Sequence, residues 1–131
     1  MKVLLTCTSI EDTSRTEDSP DSHYPLGLAY LHSYLEKHSD HEVETHFLNN
    51  VNSDICFDKI KSEIEKFNPD VVGISIMTFS RTSSYRMIEY LTENHPNIKI
   101  VLGGMHPTVM WKNMLKKYTN TVIVVGEGEI T

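Results

Sequence analysis

The sequence predicts an α/β domain built on a doubly wound, five-stranded parallel sheet. Two observations carry this. Five short apolar, strand-like runs alternate in strict order with four longer stretches whose apolar residues recur at helical spacing. Such alternation implies parallel crossovers, and runs lacking a polar face imply a sheet covered on both sides. At 131 residues the chain has the size of one domain with its own core.

The elements follow in order. "KVLLTCT" (residues 2–8) is a nearly continuous apolar run, as expected of a buried central strand. The Ser-, Thr- and acid-rich residues 9–23 read as a long exposed loop, a kind of segment that often carries function. In "PLGLAYLHSYLEKH" Leu28, Leu31 and Leu35 share one helical face, and Pro25 suits the first turn because its missing N–H is not needed there. "EVETHFL" alternates as a half-exposed strand. "SDICFDKIKSEIEKF" is amphipathic, with Ile60, Ile64 and Phe67 on one side and Ser53 as the expected N-cap.

"PDVVGISIM" is the most buried-looking strand, β-branched almost throughout. A helix over residues 82–93 stops before Pro96, because the residue preceding proline resists the α region. "IKIVLGG" is the fourth strand. "PTVMWKNMLKKY" is the fourth helix, with Lys116 and Lys117 in the last turn, where cations suit the dipole. "TVIVV" is the fifth strand. The expected strand order is the flavodoxin-like, Rossmann-like 2-1-3-4-5. Residues 129–131 read as the first turn of a final helix cut short, so that residues 1–131 form the N-terminal piece of something longer.

The formal net charge of −6 gives nucleic-acid binding no electrostatic support. No run approaches the ~18 apolar residues of a membrane span, and the N-terminus lacks a signal-peptide pattern. Cys7 and Cys56 are isolated, so a reduced, cytoplasmic setting with two buried thiols is expected.

In open parallel sheets ligands bind beyond the carboxyl ends of the strands, where strand order reverses. The residues placed there are Thr8 and Ser9; Ser75, Met77 and Thr78; Gly103, Gly104, Met105 and His106; and Gly126, Glu127 and Gly128. This set holds no nucleophile–base pair, no H-x-x-x-H and no phosphate-binding G-x-x-x-x-G-K-[ST]. Each glycine site could be a turn needing positive φ, and each hydroxyl could bond nearby backbone. Their coincidence at neighbouring strand ends describes a long pocket lined by small residues and main chain.

In "PLGLAYLHSYLEKH…HEV", "PDVVGISIMT", "IKIVLGGMHPT" and "VVGEGEIT", in that order and spacing, the chain resembles the N-terminal cobalamin (vitamin B12)-binding domain of cobalamin-dependent radical S-adenosylmethionine (SAM) enzymes, methyltransferases and Mg-protoporphyrin monomethyl ester cyclases among them. The resemblance covers essentially everything except residues 9–23. It implies that the cofactor's nucleotide tail enters the switch-point crevice, with Ser75 and Thr78 at its base and Gly103 and Gly104 letting it lie against backbone. Met105, His106, Gly126, Glu127 and Gly128 would then border corrin or nucleotide. It also implies a following barrel domain holding an iron–sulfur cluster and S-adenosylmethionine, and a small-molecule substrate. The barrel's C-x-x-x-C-x-x-C is absent here, so this stretch is not catalytic alone.

"DSHYPLG" sets His23 in a near match to the D-x-H-x-x-G loop that supplies cobalt's lower ligand in related domains. The interval to glycine is one residue too long, which favours a solvated loop histidine over a metal ligand. His32, His38, His41, His46 and His95 read as solvated surface residues with no shared cluster. Two other readings stand beside the cobalamin one. A flavodoxin-like FMN protein would cradle phosphate in "TCTSIEDTSRT", and an apo domain would serve only to dock the barrel. A phosphoacceptor domain is excluded, because the required aspartate and lysine are missing from the third and fifth strand ends.

Overall fold

The computed structural model describes residues 1–9, 25–47 and 51–128. Its elements run β1 (Lys2–Cys7), α1 (Leu26–His38), β2 (Glu42–Phe47), α2 (Ser53–Phe67), β3 (Val71–Ser75), a 3₁₀ turn (Thr78–Ser80), α3 (Arg81–Asn94), β4 (Lys99–Gly103), α4 (Met105–Lys117) and β5 (Thr121–Ile123). All four strand pairings are parallel and the order is β2-β1-β3-β4-β5, as the alternation predicts.

Side-chain alternation divides the sheet between two cores. Leu4, Val72, Ile74, Ile100 and Leu102 meet Cys56, Ile60 and Ile64 of α2, Met87, Ile88 and Leu91 of α3, and Met114 of α4. On the other face Val3, Leu5 and Cys7 meet Leu28 of α1, flanked by Leu31 and Leu35. Each fully buried Leu or Ile contributes roughly 1.5–3 kcal/mol, so the helices are held by these stripes more than by propensity. The two cysteines are free and buried, as expected, and burial pushes the Cys7 thiol up to about 12.

The helices α2, α3 and α4 pack over one face of the sheet. On the other, α1 is the one helix among the described residues, and it packs on β1 and β2. Val122 of β5 is therefore 59% exposed. This bare half of the sheet becomes the floor of the site.

Helix boundaries shift slightly for local reasons. Pro25 sits just before α1, where its carbonyl accepts from the Leu28 and Ala29 amides (2.9 and 3.2 Å). The α2 cap is Asn52 rather than Ser53: Asn52 Oδ1 accepts the Ile55 amide at 2.9 Å, and Ser53 is already helical. At its other end Asn68 closes the helix with φ 49°, a conformation asparagine tolerates. Asn52→Ala is expected to cost about 1 kcal/mol of stability, whereas Ser53→Ala stays within roughly 0.5 kcal/mol. Urea titration of the two variants checks the assignment, and equal losses would refute it.

Candidate functional site

A cleft of about 700 Å³ opens on the bare half of the sheet, between α1 and the loop after β5. Its floor follows the strand register. Leu5 pairs with Gly73, Gly73 with Val101, and Val101 with Val122, so one row crosses four strands with glycine at its centre. A Cβ on Gly73 would stand 2.8 Å from Leu5 Cδ2, so the missing side chain creates depth at the middle of the floor. Leu28, Leu31 and Leu35 of α1 make one wall.

The rim is built from the glycine sites. Ser75, Gly103 and Gly104 line one side, and Gly126, Glu127 and Gly128 the other. Gly104 has φ 97° and Gly126 φ 86°, conformations that favour glycine. The Gly103-Gly104 turn is tied to the end of β3: the Ile76 amide donates to the Gly103 carbonyl (2.8 Å), and the His106 amide donates to the Ile76 carbonyl (3.0 Å). Thr108 joins the two rims. Its Oγ1 donates to the Gly104 carbonyl (2.9 Å) and accepts the Gly126 amide (3.1 Å). A hydroxyl from the first turn of α4 thus sets the distance between two glycine loops.

Six of the twelve expected residues therefore line the cleft: Ser75, Gly103, Gly104, Gly126, Glu127 and Gly128. The other six do not. Thr8 faces the opposite side of the sheet, with its Oγ1 2.7 Å from Ser84 Oγ and 3.3 Å from the Ser80 carbonyl. Ser9 is buried too, and its Oγ has no hydrogen-bond partner among the described residues. Met77 and Thr78 enter the 3₁₀ turn, where their carbonyls accept from Ser80 and Arg81. Met77 and Met105 are exposed at the strand ends, 38% and 65%.

His106 is buried away from the cleft, its Nε2 2.6 Å from the Tyr85 hydroxyl of α3. Burial first, and then Arg81, lower its basicity. The imidazole there packs α4 against α3. His23 lies outside the described residues.

Sequence reasoning missed Gly73, the α1 wall and the bridging role of Thr108, which it placed only within the strand-end stretch 103–108. An isolated glycine inside a β-branched strand was the available signal, since it weakens a strand unless something must approach closely.

The geometry is a depression for a flat or elongated group, floored by aliphatic side chains and rimmed by main chain. A family model described as a B12 binding domain matches residues 15–131. The chain is 33% identical over 108 residues to an uncharacterized methyltransferase of Pyrococcus horikoshii, covering 82% of this chain and 23% of that protein. It is 33% identical over 106 residues to an anaerobic magnesium-protoporphyrin IX monomethyl ester cyclase of Rubrivivax gelatinosus, covering 80% and 19%. The fold superimposes with a TM-score of 0.80 and 20% identity on the cobalamin-dependent S-adenosylmethionine radical enzyme OxsB with aqua-cobalamin bound, covering 98% of this chain and 17% of that one. The chain thus spans about a fifth of the length of each of these three proteins.

Proposed function

The chain belongs to the B12 binding domain family, and from that premise we propose that its cleft holds cobalamin for an enzyme whose catalytic part lies in another domain. The observation that supports this most is the floor row, in which Gly73 opens depth between Leu5 and Val101 beneath a rim of backbone. A planar base buried there gains apolar contact without displacing a side chain. The donor set fits the group: Ser75 offers a hydroxyl on the rim of the cleft, and Gly103, Gly104, Gly126 and Gly128 offer main chain. Met77, Thr78 and Met105, exposed at the same strand ends, are where the corrin ring would rest.

When bound, cobalamin supplies a cobalt centre able to carry a methyl group or take part in radical chemistry. This chain's residues bind and orient the cofactor's organic part. The resemblance to methyltransferases and to a cyclase supports a parent enzyme of the radical S-adenosylmethionine type, with an iron–sulfur cluster and a small-molecule substrate in a following barrel. The two free, buried thiols support a reducing, cytoplasmic setting. Among the described residues no helix is long and apolar enough to cross a membrane.

Spectral titration of the chain with hydroxocobalamin tests the reading. The expected result is saturable binding of one cobalamin per chain, together with a higher melting temperature. Well-folded chain that shows neither would favour a domain that only docks its barrel.

A further inference from the structure

We propose that Glu44, His46 and Glu63 form a site for one divalent transition cation of the Zn²⁺ class, on the face of the sheet opposite the cleft. Sequence spacing alone did not join these residues, since two lie on β2 and the third on α2. The register brings them together. Glu44 pairs with Leu4 and His46 with Thr6, so both side chains project to the side on which Leu4 meets α2. Thr45 between them turns the other way, toward α1, with its Oγ1 2.8 Å from His32 Nδ1. Glu63 comes up from α2 to meet the pair.

The atoms converge as ligands do. His46 Nε2 lies 3.1 Å from Glu44 Oε2 and 3.7 Å from Glu63 Oε2. The ligand atoms of all three residues fall within 4.8 Å of one another. A tetrahedral ion with bonds of about 2.0–2.1 Å holds its ligands roughly 3.3 Å apart, so the trio needs only small side-chain movements to close on one. Lys66 Nζ engages Glu63 through the other oxygen, Oε1, at 3.0 Å. That contact orients the carboxylate and leaves Oε2 directed at the imidazole.

The donor set selects the ion. One imidazole and two carboxylates suit Zn²⁺ and its first-row neighbours. Ca²⁺ and Mg²⁺ call for about six oxygen ligands, which these residues do not provide. Glu44 is 42% exposed on its side chain, so water can complete the coordination. An ion there would tie β2, at the edge of the sheet, to α2.

The test uses the metal-stripped, cobalamin-free chain, titrated with Zn²⁺ by calorimetry and with Co²⁺ by visible absorption. Expected are one equivalent bound, Co²⁺ bands of a nitrogen–oxygen site, and a melting temperature that rises with Zn²⁺. His46→Ala should abolish the Co²⁺ bands, and Glu63→Gln or Glu44→Gln should weaken Zn²⁺ binding at least about tenfold. His41→Ala, outside the trio, should change nothing. Far-UV circular dichroism confirms that each variant is folded. Binding that is absent in the parent, or that survives unchanged in all three trio variants, overturns the site and leaves a partly exposed cluster of ion pairs.

Discussion

Gly104→Ala is expected to destabilise the domain by about 3 kcal/mol, while Gly103→Ala one residue earlier leaves stability within about 0.5 kcal/mol. The difference comes from the backbone. Gly104 holds φ 97° and ψ −175°, a region essentially reserved for glycine, where another residue costs on the order of 1–3 kcal/mol. A Cβ there would also stand 2.9 Å from the Ile76 carbonyl oxygen and 3.1 Å from both the Ile76 nitrogen and Ser75 Oγ. Those backbone atoms cannot retreat cheaply, because the Gly103–Ile76 and His106–Ile76 hydrogen bonds pin them. Breaking one adds about 1 kcal/mol. At Gly103 an added Cβ meets nothing within 4 Å. For a domain of this size the loss corresponds to a melting temperature roughly 10 °C lower. Equal behaviour of the two variants in urea or thermal unfolding would refute the account.

Much of this was legible in the sequence, because periodicity and turn chemistry are local. β1 and β3 announce themselves as apolar runs and α2 as an amphipathic stripe, and their alternation leaves few topologies open. The glycine rim was readable for the same reason: a backbone leaving a strand at positive φ needs glycine, and strand ends are where the ligand edge lies. What was not legible depends on register and facing. Thr8 and His106 sit at strand ends like Ser75 and Gly103, yet they point to the opposite side, into contacts with Ser84 and Tyr85. Thr108 acquires its role only when the first turn of α4 meets a loop 18 residues further along the chain. The trio of Glu44, His46 and Glu63 required the facing of β2 against α2, so histidine spacing along the chain could not reveal it.

Gly73→Val should fold and should bind cobalamin roughly 30- to 150-fold more weakly than the parent chain. Valine suits a parallel strand, and at position 73 it would sit between Leu5 and Val101 with its Cβ 2.8 Å from Leu5 Cδ2. Leu5 is nearly buried, so it yields by leaning into the cleft, and the two residues together fill the depth at the centre of the floor. Overpacking of this kind costs about 2–3 kcal/mol, which is the stated loss when it falls on the bound state. Two controls separate lost depth from general damage. Cobinamide, which lacks the nucleotide tail, should bind parent and variant about equally if the tail is what occupies the floor. Adding Leu5→Ala to Gly73→Val returns volume to the same spot and should recover most of the affinity, a coupling that independent sites would not show. If the double variant binds no better than Gly73→Val, the depth opened by the glycine is not what the cofactor uses. If cobinamide is lost in parallel with cobalamin, the cleft floor is not where the tail lies.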